Sequence, residues 1–272
     1  MMVGRLACAA GTLVAGLAAP LAAGPAALEA AGRQGIAAAA GFTERFQRAS
    51  APGWHIAEYD FSHPAFDTDW RRANVRIAGG LTLDLLPRGG PGNRFSGGSI
   101  RRDAPTGHGR YEAVLRAAGG TGLVTGFFTY TGPAYGSRHD EIDIEILGQS
   151  PDHLHAAWFV DGDLQSRRIP LGFDASAGFH HFAFTWEPGR ITWEAEGRVL
   201  LVIEEGPGRP LPRVPGRLFA NLWAADPSIA SWAGHTAPAT RAQAQFACVA
   251  YTPLKAALRG RPPACAAPGG TS

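Results

Sequence analysis

The sequence predicts an all-β fold, a jelly-roll-like sandwich of two antiparallel sheets with a substrate cleft, and three observations carry that reading. Short runs alternate apolar and polar residues with a period of two, aromatic and β-branched residues fill them, and Gly, Pro and Asp stand at the breaks. The runs, in order, are LTLDL (81–85), GRYEAVL (109–115), LVTGFF (123–128), EIDIEI (141–146), HAAWFV (155–160), FAFTW (182–186), ITWEA (191–195) and LFANLW (218–223). Each has one apolar face to bury, and two stacked sheets are the simplest way to bury so many. No amphipathic helical pattern of comparable length follows residue 45. The 36 Gly and 21 Pro fall between the runs rather than in one block, as many turns require. There is no internal repeat.

At 272 residues the chain suffices for one such domain, and its 25 Lys plus Arg nearly balance 23 Asp plus Glu. That balance leaves no electrostatic footprint for nucleic acid or for an anionic membrane. A neutral polymer is compatible with it.

The ends read differently from the middle. Arg5 is the only charge before Glu29, residues 6–21 are dominated by Ala, Leu, Val and Gly, and small residues follow at 19–23. This predicts a signal peptide over 1–23, cleaved between 23 and 30, and hence a secreted or periplasmic protein. The run is short, and rich in Ala and Gly, for the ~20 strongly apolar residues of a spanning helix. Cys8 lies inside it rather than after it, against a lipid anchor. An Ala/Gly-rich linker (24–41), one domain (42–254) and a short turn with a loose tail (255–272) complete the expected organisation. With the leader removed, Cys248 and Cys265 remain, either bridging the tail to the last strand or standing as two thiols.

The chemistry is concentrated in EIDIE, residues 141–145. On a strand, Glu141, Asp143 and Glu145 share one face while Ile142, Ile144 and Ile146 share the other. Three carboxylates with no interleaved cation repel one another, whereas strands that need only solubility use Lys or mixed charge. At roughly 3.3 Å per residue the two Glu Cα atoms lie about 13 Å apart, and side chains leaning together leave about 5–6 Å between carboxyls. Retaining glycosidases use about 5–5.5 Å and inverting ones about 6.5–9.5 Å, so the spacing leans toward retention. One Glu would attack the sugar, the other would protonate the leaving oxygen, and Asp143 between them would raise the acid's pKa.

The stretch GFFTYTGPAYGSRHDEIDIEILG (126–148) resembles glycoside hydrolase family 16, with its E-x-D-x-E strand on a β-jelly roll. LGFDAS (171–176), FHHFAFTWEPGRITW (179–193), PGRLFANLW (215–223) and SWAG (231–234) follow in the family's order. The similarity runs from about Trp54 to Pro253, toward bacterial 1,3-1,4-β-glucanases (licheninases) and rhizobial-type endo-glycanases that trim exopolysaccharides such as succinoglycan. By position, the resemblance implies Glu141 as nucleophile, Asp143 as helper and Glu145 as general acid/base. Spacing alone does not say which Glu does which.

Aromatic faces suit the apolar sides of pyranose rings and polar side chains their hydroxyls. The candidates are Phe128, Tyr130, Trp158, Trp223 and Trp232, with Arg101 and Asn221 as polar partners, while Trp186 and Trp193 read as core. Compared with licheninases, His139 stands for an aromatic two residues before the nucleophile, Phe159 for a Tyr and Ala157 for an Asn. These departures favour an exopolysaccharide-processing relative over a cereal-glucan specialist. Many relatives bind a structural calcium through an Asp of the last strand. Here that position is Ala247, which puts the site in doubt.

Other constellations carry little. His153 and His155 share a strand face and His180–His181 are adjacent, with no third ligand, so no metal site is assigned. FSGGS (95–99) lacks the G-x-S-x-G of a nucleophile elbow, and Asp161-Gly-Asp163 reads as a hairpin turn. The sequence predicts a monomeric endo-acting retaining hydrolase of β-1,4 linkages in a mixed-linkage β-glucan or glucan-rich exopolysaccharide, with no organic cofactor. A transglycosylase of the same family and a non-catalytic jelly-roll sugar-binding protein are the alternatives. The second has no need for three repelling carboxylates.

Overall fold

The computed structural model describes residues 40–259 and 263–265; the predicted leader and nearly all of the linker lie outside the described residues. The strands are β1 (Phe42–Glu44), β2 (Trp54–Ile56), β3 (Thr68–Trp70), β4 (Val75–Ile77), β5 (Leu81–Pro87), β6 (Phe95–Gly97), β7 (Ser99–Arg102), β8 (Gly109–Arg116) and β9 (Leu123–Thr131). They continue with β10 (Asp140–Leu147), β11 (His153–Val160), β12 (Asp163–Pro170), β13 (His180–Glu187), β14 (Arg190–Ala195), β15 (Arg198–Glu204), β16 (Arg217–Ala224) and β17 (Ala242–Pro253). The described α-helices are single turns, α1 (Ala230–Ala233) and α2 (Leu254–Ala257).

Two sheets form, as the alternation requires. One runs β15-β14-β13-β8-β17-β5-β6-β3, with β1 on β17 and β4 on β5; the other runs β12-β11-β10-β9-β16-β7-β2. All pairings are antiparallel except β3 with β6. Each predicted run lies within one of these strands, and β12 hangs on the edge beside β11 with largely exposed side chains. The turn between β11 and β12 has positive φ at both Asp161 (53°) and Gly162 (87°), the conformation a tight hairpin demands and an Asp-Gly pair tolerates.

The core is the space between the sheets. Ile142, Ile144 and Ile146 of β10, Leu154 and Trp158 of β11, and Phe127 of β9 meet Phe182, Phe184, Trp186, Ile191 and Trp193 of the facing sheet. Trp186 and Trp193 are core, as read from the sequence. Trp193 also spans the sandwich: its Nε1–H donates to the Asp143 carbonyl at 2.9 Å, tying the acidic strand to the opposite sheet. That bond satisfies an indole donor that burial would otherwise leave unpaired.

The tail departs from the expected loose segment. Cys265 is buried and disulfide-bonded to Cys248, and the Ala264 N–H donates to Glu112 Oε2 at 3.0 Å. The pair packs with Val114 and Ala250 on the outer face of the larger sheet, with Ala247 and Phe179 beside it. Ala247 sits where the β17 register on β8 shifts between Phe246 and Cys248. Its side chain brings no oxygen, so Ala247 does not supply the carboxylate that a calcium site of the expected kind would use. The disulfide closes a loop across a separation of 17 residues. Cys265→Ser should therefore lose about 3 kcal/mol of unfolding free energy, the loop-entropy value for that length. Denaturant titration of variant and reduced wild type should show the same lowered midpoint; an unchanged midpoint would mean that the tail contributes nothing.

Candidate active site

The outer face of the seven-stranded sheet carries the site. Because β10 is extended and its isoleucines are buried, Glu141, Asp143 and Glu145 all project outward. The register sets their neighbours. Glu141 stands opposite Tyr130 and Phe159, Asp143 opposite Phe128 and Ala157, and Glu145 opposite Gly126 and His155. Beyond β9, Asn221 of β16 is level with Gly126 and Phe219 with Phe128. A Cβ at residue 126 would come within 2.5 Å of Asn221 Oδ1, so only glycine lets that amide approach the floor beside Glu145.

The three carboxyls are not equivalent. Burial, then the charges of Glu141 and Glu145, holds Asp143 well above the usual carboxylate range. Burial, then the Glu141 charge, pushes Glu145 up to about 8. Glu145 therefore keeps its proton at neutral pH, and the upward shift of Asp143 acts in the same direction, against the repulsion that the strand would otherwise suffer. Glu141 has a different partner, His139, whose Nε2 lies 2.5 Å from Glu141 Oε2. That imidazole stacks on Phe159 at 4.5 Å and meets the Tyr130 ring edge-on at 5.1 Å. Tyr130 itself is raised to about 12, by burial first and the Glu141 charge second.

The predicted sugar-binding residues divide. Phe128, stacked with Phe219 at 5.0 Å, and Tyr130 line the floor beside the acids. Asn221 is there too, its Oδ1 buried without a hydrogen-bond partner. Arg101 lies farther along, lining a cavity of about 160 Å³ with His55, Tyr59, Tyr135 and Phe219. Trp232, on α1, stands over β11 and donates through Nε1 to His155 Nδ1 at 3.2 Å. Trp223 faces the same side as Asn221 but is covered by Phe66, stacked at 4.0 Å, and supports the wall rather than offering an open ring.

Trp158 is a correction. It is fully buried, packs at 5.9 Å from Trp193, and donates from Nε1 to the Pro210 carbonyl at 3.3 Å. Strand alternation turns Trp158 to the core and its neighbour Phe159 to the groove. Sequence reasoning also missed the wall made by the segment from Tyr59 to Phe66. There Phe61, His63 and Phe66 pack together, and burial lowers the His63 pKa while the nearby Glu141 charge opposes it. The segment has no alternation to betray it. Its one signal is the density of aromatic rings between two short strands.

The comparisons with known proteins fit this geometry. Residues 62–245 match the family described as glycosyl hydrolases family 16. The chain belongs to that family. It is a glycoside hydrolase, and it is 34% identical over 212 residues to a beta-glucanase of Paenibacillus polymyxa, a match covering 78% of this chain and 87% of that protein. Among solved structures it resembles the Bacillus licheniformis beta-glucanase, with a TM-score of 0.73 and 31% identity over 79% of this chain and 98% of that one. It also resembles a prokaryotic beta-1,3-1,4-glucanase (lichenase) derived from a mouse hindgut metagenome, with a TM-score of 0.75 and 29% identity over 79% of this chain and all of the other.

The raised pKa of Glu145 has a consequence for stability. Between the ordinary value of 4.5 and about 8 the folded protein holds a proton that the unfolded chain releases, so this group makes stability fall as pH rises through that window. Glu145→Gln, neutral at every pH, should melt higher than wild type at pH 8, by on the order of 5 °C. The gap should close at about pH 4, where wild-type Glu145 is neutral in both states. Melting curves across pH test this; a gap independent of pH would show that the proton is not held there.

Proposed function

We propose that the protein is a secreted or periplasmic endo-acting retaining hydrolase of β-1,4 linkages in a mixed-linkage 1,3-1,4-β-glucan or a glucan-rich exopolysaccharide. The observation that carries the reading is the outward face of β10, where one carboxyl paired with an imidazole stands two and four residues from carboxyls held above the usual carboxylate range. Similarity to proteins named as beta-glucanases supports the substrate class. The N-terminal pattern supports export, and no organic cofactor is needed for the chemistry.

In this mechanism a Glu141 oxygen attacks the anomeric carbon as the glycosidic C–O bond breaks. Glu145 gives its proton to the departing oxygen. Glu145, now a carboxylate, then takes a proton from a water that attacks the same carbon from the other partner's side and releases Glu141. Two inversions give net retention. His139 holds the Glu141 carboxyl in place, and Asp143 stands between the two Glu residues as the helper carboxyl. Phe128, Tyr130 and Phe159 present ring faces and edges to the sugar.

Replacing Glu141 by Ala should cut depolymerisation of lichenan by roughly 10⁴-fold or more, the scale on which loss of a covalent nucleophile acts. Azide should restore turnover and yield a glycosyl azide of inverted anomeric configuration. Near-normal activity of the variant would refute the nucleophile assignment.

A further inference from the structure

His153 and His155 share a strand face but not an environment. His153 Nδ1 pairs with Asp152 at 2.8 Å near the surface, whereas His155 is only 8% exposed. In register, His155 stands directly across from Glu145. Residues so placed on antiparallel strands have Cβ atoms about 4.5–5.5 Å apart, so the imidazole and the Glu145 side chain are immediate neighbours. On the other side, Glu145 faces Gly126, which offers no side chain, and Asn221 lies a further strand away.

The tautomer of His155 is fixed by Trp232. An indole nitrogen only donates, so the 3.2 Å contact makes His155 Nδ1 an acceptor. Burial, followed by the charges of Arg168 and His153, pulls His155 down to about 4, so the ring is neutral and carries its proton on Nε2. That Nε2 is buried and has no hydrogen-bond partner. A donor is thus built and left free on the residue directly across the strand pair from the carboxyl read as the proton donor.

We propose that the His155 Nε2–H is reserved for the ionised form of Glu145, so that His155 is a positioning residue that sets the acid strength of the proton donor. When the Glu145 O–H bond breaks and its proton passes to the glycosidic oxygen, the new carboxylate accepts a hydrogen bond from Nε2–H. No proton leaves His155. When water later returns a proton to Glu145, the hydrogen bond is released. A bond made only to the charged form lowers the acid's pKa and strengthens as the proton departs, which is where it stabilises the transition state. The other charged groups near Glu145 are Asp143 and Glu141 on its own strand, and those acting on His155 are Arg168, its cross-strand partner on β12, and His153.

This inference rests on Glu145 being the acid/base, and the test separates the two. For His155→Leu, the basic limb of the kcat/KM profile on lichenan should move up by about one pH unit, the scale of one charge-assisted hydrogen bond. Its kcat should fall about 10–100-fold with KM within about 2-fold. His155→Gln keeps an N–H donor and should return the limb and most of kcat. On a dinitrophenyl β-glycoside, which departs without protonation, the loss in His155→Leu should be at least about 10-fold smaller than on lichenan, and activity there also shows that the variant folds. An unmoved limb with a raised KM, or equal losses on both substrates, would overturn the proposal. Persistence of lichenan hydrolysis in Glu145→Ala would instead overturn the assignment of Glu145 itself.

Discussion

Three carboxyl groups on one face of one strand are the constraint around which this protein is arranged. Left ionised in a half-buried groove, they would repel one another at distances where water screens poorly. The structure answers on both faces of β10. Below, three isoleucines are locked into the core and the Trp193 indole holds the Asp143 carbonyl, so the strand cannot rotate its acids away from each other. Above, burial raises the pKa of Asp143 and Glu145, and His139 takes up Glu141. The same burial that costs folding energy creates a carboxylic acid able to donate a proton at neutral pH. Stability and chemistry here are two readings of one electrostatic fact.

Around that strand the groove is built mostly from backbone register. Glycine at 126 lets Asn221 approach, Phe128 pairs with Phe219 on the next strand, and His155 falls opposite Glu145 because β11 begins where it does. A slip of one residue would send each of these side chains into the core. The walls come from elsewhere in the chain. The aromatic segment from Tyr59 to Phe66 covers Trp223, and α1 brings Trp232 over His155. His139 lies against Glu141 and stands where licheninases are expected to carry an aromatic residue.

The outer face of the larger sheet carries a separate device. A Glu112–His181 pair, 3.0 Å apart and buried, lies beside the Cys248–Cys265 bridge, with the Ala264 N–H closing over it. The last strand shifts register between Phe246 and Cys248, and the disulfide from Cys248 secures it covalently to the tail at Cys265.

The sequence by itself determined the strands with a two-residue period and the side to which the acids of EIDIE point, because alternation is a local property of an extended chain. It also determined Trp186 and Trp193 as core, since their strands show one clean apolar face. What only the tertiary structure decided are features that depend on distant partners. HAAWFV is apolar on both faces, so pattern could not tell that Trp158 turns inward and Phe159 outward. The polar β12 and the three-residue strands β1 to β4 exist because neighbours supply their hydrogen bonds, not because their residues prefer to be extended. The bridge between Cys248 and Cys265 required the two chain segments to meet on one sheet face. The proton on His155 Nε2 was fixed by an indole 77 residues away, and no local reading of the sequence contains that distance.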